Sequence, residues 1–181
     1  ASQVFHGGAQ VFGFLVAATG VGAFLGAVHL AARKTVVGLA GTIAMAAALF
    51  GVGLILFSFS SVLWISLILM VFVGYAMIIH MASANTILQT IVDDDKRGRV
   101  MSLYVMAFIG MMPVGSLLAG VLANRIGAPR TITISGITCL AAAAFFASKL
   151  PVLRAAIRPI YRKKGIIREE VAEIPTMAEE L

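Results

Sequence analysis

Residues 10–32 read QVFGFLVAATGVGAFLGAVHLAA, an apolar run without a single Asp, Glu, Lys or Arg. A helix of about 20 residues crosses the roughly 30 Å hydrocarbon core of a bilayer, at 1.5 Å of rise per residue. Lipid cannot satisfy an open backbone, so a membrane-spanning stretch must be a helix or a strand of a closed barrel. Barrel strands alternate polar and apolar residues in pieces of about ten, a pattern missing here. The run therefore predicts a transmembrane helix.

Four further apolar segments follow, at residues 36–59, from 62 through 81 with polar character increasing toward Thr90, 100–123 and 131–150. The whole sequence is 60% hydrophobic and only 12% charged, whereas soluble domains carry about 25% charged residues. We predict an all-α, polytopic membrane protein whose five transmembrane helices lie within residues 1–150. Pro151 marks the exit from the bilayer, and residues 151–181 form a basic, then acidic tail with a disordered end.

The breaks between segments are short. We expect polar turns or loops at Ser58–Ser61, at the charged cluster of residues 93–99 (DDDKRGR), and at residues 124–130, where Gly127 and Pro129 interrupt the apolar sequence. Lys and Arg concentrate at one set of helix ends, including Arg33, Lys34 and half of all basic residues between Lys149 and Arg168. By the positive-inside rule, these ends and the C-terminus lie in the cytoplasm of a multi-pass plasma-membrane protein.

Several functions are disfavoured by what the sequence lacks. The predicted spans contain no Asp or Glu, and the single Cys139 lies in an apolar segment, which leaves no disulfide framework and no thiolate cluster. There is no cluster with metal-ligand spacing, no phosphate-binding loop and no nucleophile elbow. We expect no enzymatic activity, no cofactor and no metal. The net charge of +6 is explained by topology, so we expect a lipid bilayer rather than nucleic acid as partner.

Two stretches, VFHGGAQVFGFLVAATGVGAFLGA and ANTILQTIVDDDKRGRVMSLYVMAFIGMMPVGSLLAGVLANRIGAP, resemble the C-terminal half of a major facilitator superfamily (MFS) transporter. The similarity is strongest to the branch of enterobactin-exporter-like and other efflux proteins. The resemblance implies that the five spans are helices eight to twelve of a twelve-helix protein. It also implies that an N-terminal half, expected in the same chain, is missing from this sequence.

The resemblance also suggests conformational elements. Arg97, Gly98 and Arg99, together with Asp95, resemble a basic cytoplasmic loop that pairs across the two halves of the transporter; the alternative is a set of positive-inside anchors beside a helix N-terminus. Gly110, Pro113 and Gly115 resemble a Gly/Pro-rich antiporter motif, of which they match only part. Small residues and a proline let helices pack closely and bend.

Candidates for the substrate path come from polar or adaptable side chains within the apolar segments. His80, Asn85 and Gln89 lie in the third span, and Asn85 and Gln89 share one helix face. An imidazole changes charge near neutral pH, so His80 is also a candidate for coupling to protons. Large apolar residues of the fourth span suit a loosely defined substrate, namely Phe108, Met111 and Met112. For His80, Asn85 and Gln89, the structural alternative is a role in packing and interhelical hydrogen bonding.

Two functions follow. The first is secondary active transport, with efflux of a small drug- or siderophore-like amphipathic molecule by alternating access as part of a longer transporter. The alternative is a complete five-span subunit that anchors or organises a membrane complex. Flux with the upstream half supplied distinguishes the two.

Overall fold

A computed structural model describes residues 8–166 of the chain, and within that range it contains five α-helices and no strand. All five are long and apolar enough to cross a membrane. This confirms the predicted all-α, polytopic fold. The helices, in chain order, are α1 (Ala9–Ala31), α2 (Leu39–Phe59), α3 (Leu63–Ile91), α4 (Asp94–Ile126) and α5 (Ala128–Lys163).

The predicted loop at residues 93–99 is wrong, because α4 begins inside it. Asp93 is the N-cap residue, and Asp94 and Asp95 lie in the first turn. Carboxylates are favoured there by the positive end of the helix dipole, so the acidic cluster starts the helix instead of preceding it. Only Val92 and Asp93 remain between α3 and α4.

The predicted loop at residues 124–130 shrinks to one residue. Gly127 has φ 87° and ψ 154°, and it separates α4 from α5. A side chain rarely tolerates a positive φ, so glycine suits this turn. Pro129 lies in the first turn of α5, where its missing N–H would have had no helical partner in any case.

Helix α5 does not end near Pro151 but continues through Pro151 and Pro159 to Lys163. Its last turns bury Ile157 and Tyr161, which are 7% and 6% exposed, in a cluster with Leu39 and other residues of α2 and α3. Burial of these side chains offsets the backbone hydrogen bonds that the two prolines remove. The basic part of the tail thus belongs to the helical bundle, whereas residues 167–181 lie outside the described range.

Glycines bring α1 and α3 into close contact. A Cβ added at Gly22 would overlap the carbonyl of Val71, and one at Gly74 would overlap the carbonyl of Thr19. Gly26, one turn after Gly22, likewise adjoins the backbone of Tyr75. Gly13 and Gly20 have no described atom within 4 Å of an added Cβ.

Helix α4 differs from the other four. Helices α1 and α3, α3 and α2, and α2 and α5 pack side by side, whereas α4 contacts only α3 and α5. None of its residues is buried, and residues 105–121 are all exposed within the described part of the chain. Helix α4 continues unbroken through Pro113. The middle of α4 therefore presents apolar side chains on every face.

Candidate functional site

His80 joins α3 to α2. Its ring Nδ1 lies 3.2 Å from the carbonyl oxygen of Ile43. A carbonyl oxygen only accepts, so Nδ1 is the donor in this hydrogen bond. His80 is about 26 Å along α3 from Leu63, and hence in the half of the helix nearer α4's start.

A cavity of about 650 Å³ adjoins His80 and is bordered by α2, α3, α4 and α5. Its size falls within the roughly 300–1,000 Å³ typical of small-molecule sites. The lining is mainly alanine and large apolar side chains, and the polar groups among them belong to His80, Tyr104 and Cys139. Such a wall suits an amphipathic ligand that is held largely by apolar contact.

Cys139 makes a similar contact with the same side of α2. Its Sγ lies 3.4 Å from the carbonyl oxygen of Ala47, one helical turn beyond Ile43. Both contacts use side chains that line the cavity, so α3 and α5 are tied to α2 at its wall. The sequence analysis gave Cys139 no role, because a lone cysteine in an apolar span forms no pattern.

The substrate-path candidates on α4 extend from the edge of this cavity. Tyr104 lines the cavity and stacks on Phe108, with ring centroids 6.5 Å apart. Phe108, Met111 and Gly115 follow Tyr104 at spacings of four, three and four residues, which places them on one helix face. Met112 lies beside that face. Phe108, Met111 and Met112 are 51%, 64% and 69% exposed.

Asn85 and Gln89 are brought together, but not with His80. The Nε2 of Gln89 donates to Oδ1 of Asn85 at 3.0 Å, as their spacing on one face predicts. His80 precedes Asn85 by five residues and is therefore rotated by about 140° around α3. Gln89 instead lines a second recess, near the start of α4, that also contains Asp94, Arg97 and Lys164.

The gating candidates at the start of α4 interact locally. Arg97 forms an ion pair with Asp94, one turn earlier on the same helix. Asp95, Gly98 and Arg99 are exposed. Gly110 and Gly115 have no described atom within 4 Å of an added Cβ. A latch across two transporter halves thus stays a prediction for these residues and for Pro113.

Lys164 is a polar contact that the sequence analysis missed. Its Nζ donates to the backbone carbonyls of Thr90 at 2.8 Å and Val92 at 2.9 Å. These carbonyls lie at the end of α3, where helical partners run out and a positive charge is favoured by the dipole. Lys164 therefore holds the short α3–α4 connection against the end of α5. One lysine among several in a basic segment carries no signal that distinguishes it.

Comparisons with known proteins agree with this architecture. The family model described as transmembrane secretion effector, an MFS family, matches residues 1–173. The chain is 27% identical over 139 residues to the staphyloferrin A transporter of Staphylococcus aureus (strain NCTC 8325 / PS 47). That alignment covers 77% of this chain and 34% of the relative, so the chain spans about a third of the length of the curated protein it matches. No solved structure gives a significant match.

These matches confirm the resemblance to MFS transporters. The family points to membrane transport rather than to an enzymatic reaction. Because the match extends over nearly the whole sequence, the chain belongs to the transmembrane secretion effector family of the major facilitator superfamily.

Proposed function

We propose that this chain forms part of the second half of a secondary transporter that exports a small amphipathic molecule by alternating access. The cavity beside His80 and the face of α4 from Tyr104 to Gly115 form its part of the substrate path, and Asn85 and Gln89 are proposed as gate residues toward the start of α4. A second bundle of transporter helices completes the path. Protons are the proposed coupling ion, with His80 as the group that binds them.

The observation that carries this proposal is the exposure of α4. Lipid can cover one side of a transmembrane helix, but α1, α2, α3 and α5 each bury residues against a neighbour and α4 buries none. Helices in a bilayer associate through close packing, small residues and interhelical hydrogen bonds. In α4, an added Cβ at Gly110, Gly115 or Gly120 would have no described atom within 4 Å, so this helix is well suited to pack against further helices and against a ligand.

The substrate class rests on the cavity wall and on the relative. The staphyloferrin A transporter supports a siderophore-like substrate, and the apolar cavity lining supports an amphipathic one. Methionine is flexible and polarizable, so Met111 and Met112 suit a binding surface that accepts molecules of varied shape.

Orientation follows from charge. Within residues 8–166, eleven Lys and Arg residues lie toward the end of the bundle that contains the α1–α2 and α3–α4 connections, and only Arg125 and Arg130 lie at the other. We place the first end, and with it the C-terminus, in the cytoplasm and the protein in the plasma membrane. We call this end of the bundle the basic end.

The test is flux through the full-length protein in proteoliposomes. Ethidium serves as the drug-like probe and staphyloferrin A as the siderophore, each with and without an imposed pH gradient. We expect gradient-dependent movement of at least one probe. We also expect the triple variant His80→Ala/Asn85→Ala/Gln89→Ala to lose most of it. Flux that survives in the triple variant removes these residues from the path, whereas no flux of either probe favours the anchoring-subunit alternative.

A further inference from the structure

Another cavity, of about 560 Å³, lies at the basic end. It is bordered by the start of α2, by α3 and by the last turns of α5. We call it the basic-end cavity. Its floor is the apolar cluster that includes Leu39, Ile87 and Ile157, and its lining also includes Arg154 and Arg158. It shares Ile87 with the cavity beside His80, and it contains none of the substrate-path candidates.

The two arginines sit together at the edge of this cavity. They are four positions apart on α5, which places them on one helix face. A Cβ added at Gly41, in the first turns of α2, would lie 3.1 Å from Nη2 of Arg154. The guanidinium of Arg154 therefore lies against the start of α2. Arg154 thus lies at the end of α2 that carries the positive part of its dipole, and Arg158 lines the same cavity.

This positive charge is not balanced within residues 8–166. Acidic residues in that range are confined to Asp93–Asp95, and none of these lines the cavity. Within residues 8–166, the ion pair joins Arg97 to Asp94, and neither residue lines this cavity. Arg33, at the nearby α1–α2 connection, differs because it donates to the carbonyls of Thr35 and Val37 and to the hydroxyl of Thr42. Neither Arg154 nor Arg158 makes a hydrogen bond to another described residue.

We propose that the basic-end cavity binds one anionic phospholipid of the cytoplasmic leaflet. Its phosphate lies between Arg154 and Arg158, and an acyl chain covers the apolar floor. An inorganic phosphate would use the charge but leave the apolar wall open, whereas a phospholipid satisfies both. Basic recesses between transmembrane helices on the cytoplasmic side are suited to anionic headgroups. The choice of leaflet rests on the cytoplasmic placement of the basic end proposed above, whereas lipid binding at this cavity does not depend on which molecule the protein transports.

The experiment is lipid titration of the full-length protein in detergent, followed by native mass spectrometry. The probes are phosphatidylglycerol and, as the zwitterionic comparison, phosphatidylcholine. We expect phosphatidylglycerol to bind more tightly by about tenfold to thirtyfold, as two basic groups near a headgroup predict. Arg154→Gln/Arg158→Gln should abolish this preference, and Arg154→Lys/Arg158→Lys should keep most of it.

A matched control removes the same charge from the same helix. Arg162 and Lys163 are exposed and do not line the cavity, so Arg162→Gln/Lys163→Gln should leave the preference within twofold of the wild type. A preference that survives in the Arg154/Arg158 variant, or that falls equally in the control, overturns the proposal. A second variant tests the cavity without changing any charge, in case the Arg154→Gln/Arg158→Gln variant fails to fold. Val37 lines the cavity and is 42% exposed, so Val37→Trp should fill it and weaken phosphatidylglycerol binding.

The acidic segment after Ile166 is the rival occupant, because it contains five glutamates and follows α5 directly. A chain ending at Ile166 distinguishes the two. Phosphatidylglycerol binding that is equal with and without the segment supports the lipid. Binding that occurs only after truncation assigns the cavity to the acidic segment and overturns the proposal.

Discussion

The Nδ1 of His80 lies 3.2 Å from the carbonyl oxygen of Ile43, so one imidazole both ties α3 to α2 and borders the cavity of the proposed substrate path. These two roles can be separated by substitution. Asparagine keeps a side-chain N–H that can reach the carbonyl, but it does not change charge between about pH 5 and pH 8. Alanine loses both properties.

We expect His80→Asn to retain thermal stability and to lose the part of the flux that depends on pH. His80→Ala should also lose roughly 0.6 kcal/mol of stability, the average for interhelical hydrogen bonds in membranes. Thermal unfolding in detergent and flux in proteoliposomes across that pH range measure the two effects. An unchanged pH profile in His80→Asn would exclude His80 as the proton-binding group.

Gly22 and Gly20 lie on the same helix and provide a matched pair. A methyl group at Gly22 would overlap the backbone of α3, whereas one at Gly20 meets no described atom within 4 Å. We expect Gly22→Ala to destabilise the protein by about 1–3 kcal/mol, as overpacking does. Gly20→Ala should stay within about 1 kcal/mol of the wild type. Equal stabilities, measured by thermal unfolding, would contradict the close α1–α3 packing.

Gly115 and Gly110 test which face of α4 meets the substrate. Both have open space around them, but they are five residues apart and so about 140° apart around the helix. Gly115 shares the face of Tyr104, at the cavity edge. We expect Gly115→Leu to reduce flux about tenfold or more, with Gly110→Leu affecting it less. A larger effect at Gly110 would assign the path to the opposite face of α4.

Lys164 and Lys163 test the contact at the end of α3. Lys164→Met removes charge-assisted hydrogen bonds to two carbonyls, each worth about 1.5–3 kcal/mol when the donor is charged and less where exposed. We expect faster amide hydrogen exchange at residues 90–96 in Lys164→Met. Lys163→Met carries the same charge change and should leave the exchange unaltered. Similar exchange in both variants would show that Lys164 does not hold this connection.

The existence and number of helices could be predicted from the sequence because membrane thickness sets a length that apolar runs reveal directly. Helix ends were less predictable. The charged cluster after Asp93 reads as a loop by polarity, yet its carboxylates favour a helix start. Pro151 reads as a stop, yet the burial of Ile157 and Tyr161 keeps α5 helical beyond it.

The faces of the helices could not be predicted for a different reason. Lipid and protein interior are similarly apolar, so the sequence of a spanning helix does not distinguish the side that packs from the side that meets lipid. Gly22 and Gly20 look alike in the sequence, as do Gly51, which packs on α5, and Gly115, which contacts nothing described. The same limit explains why His80 and Gln89, grouped by their shared segment, line different recesses.

The short connections at the two ends of α4 restrict how that helix can move. Gly127 alone joins it to α5, and only Val92 and Asp93 join it to α3. Neither end has the slack to let a rod of about 50 Å slide along its length or leave the bundle. The motions open to α4 are rotation about its long axis and bending near Pro113, in the middle of the helix. Helix α4 is therefore held at both ends, and a small rotation about its axis would change which side chains it presents to the cavity.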